Sequence, residues 1–182
     1  MNEKNIKRIS KFLSLLLRHQ PETIGLKLDK NGWAMIDELI AKSKRRNMNL
    51  SIDVLREVVA NNDKKRFSFN EDETMIRANQ GHSLKTIDLE FKAIQPPEFL
   101  YHGTVSKFMS LIKSGGLKKM NRQHVHLSQD LQTATKVGSR RGVPIILTVR
   151  SGDMQAKGFE FYQSKNGVWL TDHVPAEFIE FK

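Results

Sequence analysis

The sequence predicts an α+β protein built as two consecutive lobes. Three observations support this. Apolar residues repeat at helical spacing near the start, a basic hairpin pattern follows, and short strands alternate with short helices after Pro96-Pro97. Because the pattern changes between about Leu84 and Pro97, we place the lobes at residues 1–88 and 89–182. The 182 residues are enough for one domain or two small ones.

The first lobe is predicted to consist of helices followed by a hairpin. An apolar stripe from Ile6 to Leu17 predicts a helix that ends before Pro21. "LKLDKNGWAMI" predicts a short hairpin or a turn at its Asn-Gly pair, and "IDELIAKSKRR" predicts a second helix. "LSIDVLREVVANN" predicts a third helix with Ser51 as its N-cap. "KRFSFNEDETMIRA" alternates on both sides of an acidic turn, and helices before a basic hairpin are typical of a winged helix.

The second lobe is predicted to mix strands and helices. "FLYHGT" and "HVHLS" indicate strands, and "VPIILTV" indicates a continuously buried one. "SKFMSLIKSGG" predicts a helix closed by glycines, and "DLQTATKVGSRRG" predicts another helix. "FEFYQSKNGVWLTDHVPAEFIEF" predicts two or three further strands.

The composition narrows the possible functions. The formal net charge is +10, which favours polyanionic partners, most commonly nucleic acid, although a soluble basic protein has the same balance. The chain has no cysteine, which excludes disulfides, thiolate zinc sites and cysteine nucleophiles. No apolar run spans a bilayer, and "MNEKNIKRIS" lacks the apolar core of a signal peptide. We therefore expect a cytoplasmic protein with no membrane partner and no evident protein partner.

Arg18 and His19 stand side by side where the first helix is predicted to end. One interpretation is structural, because the helix dipole favours cations at a helix C-terminus by roughly 0.3–1 kcal/mol each. The other is a phosphate site. Since the same dipole repels phosphate, that site would need further cations, and the candidates are Arg66, Arg77 and Arg122.

"HGT" and "HLS" form a second group of candidates. His102 and Thr104, and likewise His126 and Ser128, are two residues apart and share one face of a strand, and His124 is predicted to share the face of His126. Three interpretations remain open: a metal site, a two-histidine phosphoesterase, and a nucleotide pocket. No acidic residue stands at obvious ligand spacing, which weakens the first.

Two further segments are candidates for ligand contacts. "KVGSRRG" contains Gly138 and Arg140 and is suited to a pyrophosphate, or else ends a helix in a surface loop. It lacks the spacing of a dinucleotide-binding fingerprint. "QGHS", with His82 and Ser83, lies near the lobe boundary, where its backbone and hydroxyl groups could contact a ligand of either lobe.

Taken in order, "LLLRHQPETIGLKLDKNGWA", "DKKRFSF", "IRANQGHS", "FLYHGT", "HVHLS" and "NGVWLTD" resemble the NAD-using RNA 2′-phosphotransferases, from Lys11 to the C-terminus. The resemblance implies a winged-helix-like RNA lobe and an ADP-ribosyltransferase-like NAD lobe. It also implies a reaction. An internal RNA 2′-phosphate attacks NAD and expels nicotinamide, and the ADP-ribosylated RNA intermediate then yields 2′-OH RNA and ADP-ribose 1″,2″-cyclic phosphate.

The resemblance also implies roles for residues. The catalytic set would be Arg18, His19, Arg66 and Arg122. The NAD-binding set would be His82, Ser83, His102, Gly103, Thr104, His126, Ser128, Gly138, Arg140 and Val168. Val168 stands where many related transferases have a glutamate, and an anionic phosphate needs no carboxylate base. The implied partners are NAD and RNA with an internal 2′-phosphate, tRNA-like or other, and no metal. The alternatives are a two-histidine RNA cyclic phosphoesterase and a non-catalytic winged-helix RNA-binding protein.

Overall fold

The computed structural model describes residues 2–62 and 64–181, which form an α+β protein of helices and small antiparallel sheets. The chain divides into two compact units, Met1–Glu90 (unit 1) and Phe91–Lys182 (unit 2). Within the described residues, no helix is both long enough and apolar enough to cross a bilayer.

The described residues of unit 1 form three helices and one antiparallel sheet. The helices are α1 (Glu3–Arg18), α2 (Ile36–Ser43) and α3 (Ile52–Ala60), with 3-10 segments at Pro21–Thr23 and Lys44–Arg46. The strands are β1 (Ala34–Met35), β2 (Phe67–Phe69) and β3 (Met75–Ala78), in the order β1-β3-β2. β2 and β3 form the predicted hairpin, in which Phe67 pairs with Ala78.

Local signals explain the helices of unit 1. The Asn2 side chain caps α1 by accepting a hydrogen bond from the Asn5 amide, and the helix ends before Pro21 as predicted. Ser51 caps α3 by accepting from the Val54 amide, which confirms the predicted N-cap. The stripe of α1 packs into the core of unit 1, with Leu13, Leu16 and Leu17 fully buried.

The Asn-Gly segment forms a turn, and the hairpin alternative is wrong. The Asp29 carboxylate accepts hydrogen bonds from the amides of Asn31 and Trp33, each at 2.9 Å, and these bonds hold the turn. The chain then enters β1, which pairs with β3 and does not fold back on the preceding segment.

In unit 2, the part of the chain that the structure describes forms three helices and three small antiparallel sheets. The helices are α4 (Met109–Gly115), α5 (Leu131–Gly138) and α6 (Ser151–Ala156), with 3-10 segments at Ser106–Phe108, Ser139–Arg141 and Ala176–Phe178. The strands are β4 (Leu100–Thr104), β5 (Leu117–Lys118), β6 (Val125–Leu127), β7 (Ile145–Val149), β8 (Tyr162–Gln163), β9 (Trp169–Thr171), β10 (His173–Val174) and β11 (Ile179–Glu180). The sheet orders are β11-β7-β4, β6-β9-β8 and β10-β5.

Three details of unit 2 differ from the prediction. The final segment forms four short strands, where two or three were expected, and β5 and α6 were not predicted at all. β7 is not continuously buried, because Leu147 and Val149 lie in the core whereas Ile145 and Ile146 are partly exposed. β7 is nevertheless the central strand of its sheet, with β4 on one side and β11 on the other.

Candidate functional site

In unit 2, a backbone bridge joins the edges of two sheets and brings the two predicted histidine motifs together. The Tyr101 amide donates to the Ser128 carbonyl at 2.8 Å, and the Ser128 amide donates to the Tyr101 carbonyl at 2.7 Å. Tyr101 lies on β4, and Ser128 directly follows β6. The bridge therefore places His102 beside His126.

The His102 ring is held in one orientation by the backbone of the other motif. Its Nδ1 lies 3.0 Å from the His126 carbonyl oxygen. A carbonyl only accepts hydrogen bonds, so Nδ1 carries the proton and Nε2 is left as an acceptor. Burial lowers the pKa of His102, and the charges of Arg122 and Arg141 lower it further, against the opposing effect of this hydrogen bond. His102 is therefore a neutral acceptor, which suits a ribose hydroxyl.

Arg122 contacts one of these two histidines, and two further arginines lie close enough to act on the cluster through their charges. Arg122 Nη1 donates to His126 Nδ1 at 3.1 Å, so that nitrogen is unprotonated. The pKa of Arg122 is lowered, first by the loss of hydration and then by repulsion from Arg141 and Arg140. Cations that repel one another gain stability when an anion binds between them. This cluster has the chemistry of a pyrophosphate or phosphate site.

Gly103 and Gly138 allow α5 to pack directly on β4. A Cβ atom at Gly103 would lie 2.0 Å from the Ala134 carbonyl oxygen and 2.8 Å from the Gly138 amide nitrogen. A Cβ atom at Gly138 would lie 3.2 Å from the Gly103 Cα. Because Gly103 faces α5, the side chains of His102 and Thr104 lie on the opposite face of β4. The two glycines position the 3-10 segment that holds Arg140, and their predicted contact with NAD stays a prediction.

Two other candidate residues of unit 2 are Val168, which lies beside a turn, and His124, which lies among aromatic rings. Val168 is half-buried and precedes β9, and its amide donates to Ser164 Oγ at 3.1 Å. His124 precedes β6, and its ring packs edge-on against Phe91 and Tyr162, with centroid distances of 6.0 and 5.5 Å. His124 thus belongs to an aromatic cluster, a role that the "HVH" spacing did not indicate.

In unit 1, the "QGHS" segment wraps the C-terminal end of α1. The Ser83 amide donates to the Arg18 carbonyl at 3.0 Å, and His19 Nδ1 lies 2.9 Å from Ser83 Oγ. Gly81 has a φ of 87°, and a Cβ atom there would lie 3.4 Å from Arg18 Nη1. The Ser83 amide satisfies a carbonyl at the helix end, which reduces the unfavourable dipole there. The structure thus brings Arg18, His19 and Ser83 together.

Arg66 is oriented by a residue that the sequence analysis missed. Its Nη1 donates to Asn62 Oδ1 at 3.1 Å, and Asn62 in turn donates to Ser10 Oγ on α1 at 3.0 Å. Asn62 is only 6% exposed. An asparagine after a helix normally indicates a cap or a turn, so the sequence held no signal of this second role. The Arg18 guanidinium lies 5.9 Å from the ring of Phe67, the residue after Arg66.

His82 and Arg77 take supporting positions. The His82 side chain is 1% exposed, so it has almost no surface to offer a ligand, and its predicted contact with NAD stays a prediction. Burial, with the charges of Arg18, His19 and Arg77, lowers the pKa of His82 to about 4. Arg77, a candidate phosphate ligand, has its guanidinium 4.5 Å from the Trp33 ring centroid. His82 therefore packs neutral beneath the Arg18–His19 end of α1.

Because His82 is neutral in the fold, stability should depend on pH. Between about pH 6.5 and pH 4 the unfolded chain binds a proton at His82 that the folded chain excludes, so stability falls as pH falls through this window. The loss should reach roughly 2 kcal/mol by about pH 5. Denaturant unfolding at about pH 7 and pH 5 checks this. His82→Gln should reduce the loss of stability between the two pH values, and the control variant at an exposed site, His173→Gln, should not. Equal pH dependence in all three proteins would contradict this prediction.

The comparison with known proteins identifies the family. The family model described as "RNA 2'-phosphotransferase, Tpt1 / KptA family" matches residues 4–173. The chain belongs to the RNA 2′-phosphotransferase family. This confirms the resemblance found in the sequence, and the family is one of transferases.

Relatives cover the full length of this RNA 2′-phosphotransferase family member. A "Probable RNA 2'-phosphotransferase" of Flavobacterium johnsoniae is 63% identical over 182 residues, 100% of both chains. One of Fusobacterium nucleatum is 51% identical over 175 residues, 96% of this chain and 97% of its own. One of Escherichia coli is 50% identical over 180 residues, 99% of this chain and 98% of its own.

Within this member of the RNA 2′-phosphotransferase family, some of the predicted residues form two clusters, one in each unit, and their roles stay predictions. Unit 1 brings together Arg18, His19 and Ser83. Unit 2 brings together His102, His126 and Arg122, with the charges of Arg140 and Arg141 acting on Arg122. Across the described residues, no three His, Asp or Glu side chains form a group that could hold a metal ion. The metal-free reaction stays a prediction.

Proposed function

We propose that this protein transfers an internal RNA 2′-phosphate to NAD, giving 2′-OH RNA, nicotinamide and ADP-ribose 1″,2″-cyclic phosphate through an ADP-ribosylated RNA intermediate. The observation that carries the proposal is the Arg18–His19–Ser83 cluster, in which Ser83 contacts the exposed His19 imidazole and bonds the backbone of Arg18 at the end of α1, in a chain of this family. A guanidinium and a proton donor are the groups that a departing phosphoryl centre requires.

The arrangement of each unit supports the proposed assignment of lobes. Three helices followed by a β-hairpin that pairs with a short strand, as in unit 1, support a winged-helix-like RNA lobe. The small antiparallel sheets of unit 2, with α5 packed on β4, support an ADP-ribosyltransferase-like lobe. RNA is the polyanion that the net charge of +10 would attract.

The residues of unit 2 fit NAD as the second substrate. The charges of Arg140 and Arg141, which repel that of Arg122, suit its pyrophosphate, and the neutral His102 suits a ribose hydroxyl. Thr104 and Ser128 add hydroxyl groups next to the two histidines. Bound NAD supplies an electrophilic ribose carbon and nicotinamide as a leaving group.

The proposed roles of the chain's own residues follow from the negative charge on the phosphate oxygens and on the departing RNA 2′-oxygen. In the first step, a 2′-phosphate oxygen bonds to the ribose carbon C1″ as the bond from C1″ to nicotinamide breaks. In the second, the 2″-hydroxyl oxygen bonds to phosphorus and releases its proton to solvent, as the bond from phosphorus to the RNA 2′-oxygen breaks. Arg18, Arg66 and Arg122 stabilise the phosphate oxygens, and His19 gives the departing 2′-oxygen its proton. Ser83 positions the His19 ring through its Nδ1.

The decisive experiment mixes the protein with 2′-phosphorylated RNA, with and without NAD, and follows both products by mass spectrometry. The phosphate should leave only with NAD, and one ADP-ribose cyclic phosphate should form per 2′-OH RNA. Chelator should have no effect, since the cluster contains cations and no carboxylate. Opening of a 2′,3′-cyclic phosphate without NAD would instead identify a two-histidine phosphoesterase. Binding of RNA without turnover would identify a non-catalytic RNA-binding protein.

A further inference from the structure

A hollow of about 280 Å³ lies on the surface of unit 1, beside α1. Its lining residues are Arg8, Phe12, Leu15, Thr23, Arg46 and Met48. The floor is apolar, since it contains a half-buried phenylalanine ring, a leucine that is 37% exposed and a methionine. The rim carries two exposed arginines, one from α1 and one from the 3-10 segment Lys44–Arg46. None of the predicted phosphate-site or NAD-site residues lines it.

The hollow lies in line with the exposed imidazole at the end of α1. Arg8, Phe12 and Leu15 are spaced i, i+4 and i+7, and His19 follows four residues later, so all four lie on one side of the helix. At about 1.5 Å per residue, Phe12 is roughly 10 Å from His19 along the axis. Nucleotides along one strand of a DNA duplex are about 3.4 Å apart, and a stacked RNA strand of similar spacing would cover this distance with about three nucleotides.

The charge around the hollow favours a polyanion. Neither rim arginine is paired with a carboxylate in the part of the chain that the structure describes. Lys4, Lys11 and Lys44 are exposed and neighbour the rim along α1 and the 3-10 segment, and the acidic residues beside these positions in the sequence are Glu3 and Glu22. An apolar floor with an aromatic ring and a cationic rim is the combination that binds single-stranded nucleic acid, because bases stack while phosphates pair with the cations.

We propose that this hollow binds one base of the RNA strand that flanks the 2′-phosphate, about three nucleotides from it, with the adjoining phosphates held by Arg8 and Arg46. The inference rests on the proposed function, because His19 marks where the 2′-phosphate binds. Unit 1 would then bind RNA along the side of α1 as well as at the C-terminal end of this helix. The hollow recognises a base face and a charged backbone, so it favours no particular sequence.

The test compares the affinity of a 2′-phosphorylated dinucleotide with that of a 2′-phosphorylated oligonucleotide long enough to extend at least four nucleotides on both sides. The wild-type protein should bind the longer RNA more tightly. Phe12→Leu keeps apolar volume but removes the ring, and should reduce this gain by about 5- to 100-fold. Arg8→Gln and Arg46→Gln should each lower the slope of log K against log salt for the long RNA by about 0.7. Arg45→Gln, one residue away and outside the hollow, is the matched control.

Two outcomes would overturn the inference. The first is an equal gain from length in the wild type, Phe12→Leu and the two arginine variants. The second is dimerisation of the wild type that Leu15→Arg abolishes, which would assign the hollow to a second copy of the chain. Both leave NAD-dependent turnover of the dinucleotide in place. Failure of the proposed function is distinguishable, because no RNA of any length would then lose its phosphate to NAD.

Discussion

Replacing His19 with alanine is expected to stop the reaction after nicotinamide is released, leaving ADP-ribose attached to the RNA 2′-phosphate. The phosphate brings its own negative charge to the first step and needs no base. The second step expels an alkoxide, which is a poor leaving group unless it is protonated as the bond breaks. Loss of this proton donor should slow the second step by roughly 10²–10⁴-fold.

Arg66→Ala is expected to produce the same intermediate. Its guanidinium is held in place by the buried Asn62, and a charge fixed in this way is what the proposed role at the phosphorus centre requires. Asn62→Ala should have a smaller effect of the same kind, since it removes the orientation and leaves the charge.

A single-turnover assay with end-labelled RNA measures this directly, because RNA that carries ADP-ribose migrates more slowly in a gel. Nicotinamide release is followed in the same samples. His173→Ala, at an exposed histidine on β10, is the matched control and should form no intermediate. If His19→Ala and Arg66→Ala both stopped before nicotinamide release, the proposed division of roles would be wrong.

The sequence predicted the elements of the fold that depend on local signals. The apolar stripe of α1, the Ser51 cap of α3 and the alternating hairpin β2–β3 each carry their information within a few residues. β5 and β10 carry no such local information, because each is a two-residue strand that is defined only by its pairing with the other strand, far along the chain. No periodicity can be read from two residues, so such strands were missed or miscounted.

The candidate site was likewise predictable only where its signals are local. Arg18 and His19 could be singled out because they adjoin a helix end, but their partner Ser83 is 64 residues from His19 and only the fold brings it close. Asn62 was missed because spacing does not report burial. The resemblance assigned Gly103 to NAD binding. The structure gives a second explanation for a glycine at this position, because a side chain there would collide with α5. Residue types are therefore readable from sequence, whereas the hydrogen bonds that orient them are not.

Replacing Arg122 with alanine is expected to lower turnover by roughly 10²–10³-fold, the usual cost of removing one pre-positioned donor from a developing negative charge. The guanidinium donates to His126 Nδ1, and the charges of Arg140 and Arg141 lower its pKa, so its loss removes both a donor and part of the attraction for the anion. Arg122→Lys should recover only part of the activity, because an ammonium lacks the planar fork.

A second measurement separates this role from a general loss of structure. Arg122 is one of the charges that lower the pKa of His102, so Arg122→Ala should raise the pKa of that imidazole, as measured by NMR titration of the folded protein. Arg56→Ala, which removes an exposed arginine paired with Glu73 and Asp53, is the matched control and should change neither turnover nor the His102 titration. An Arg122→Ala protein with normal turnover, or with reduced turnover and an unchanged His102 pKa, would show that the arginine cluster of unit 2 does not act on the substrates as proposed.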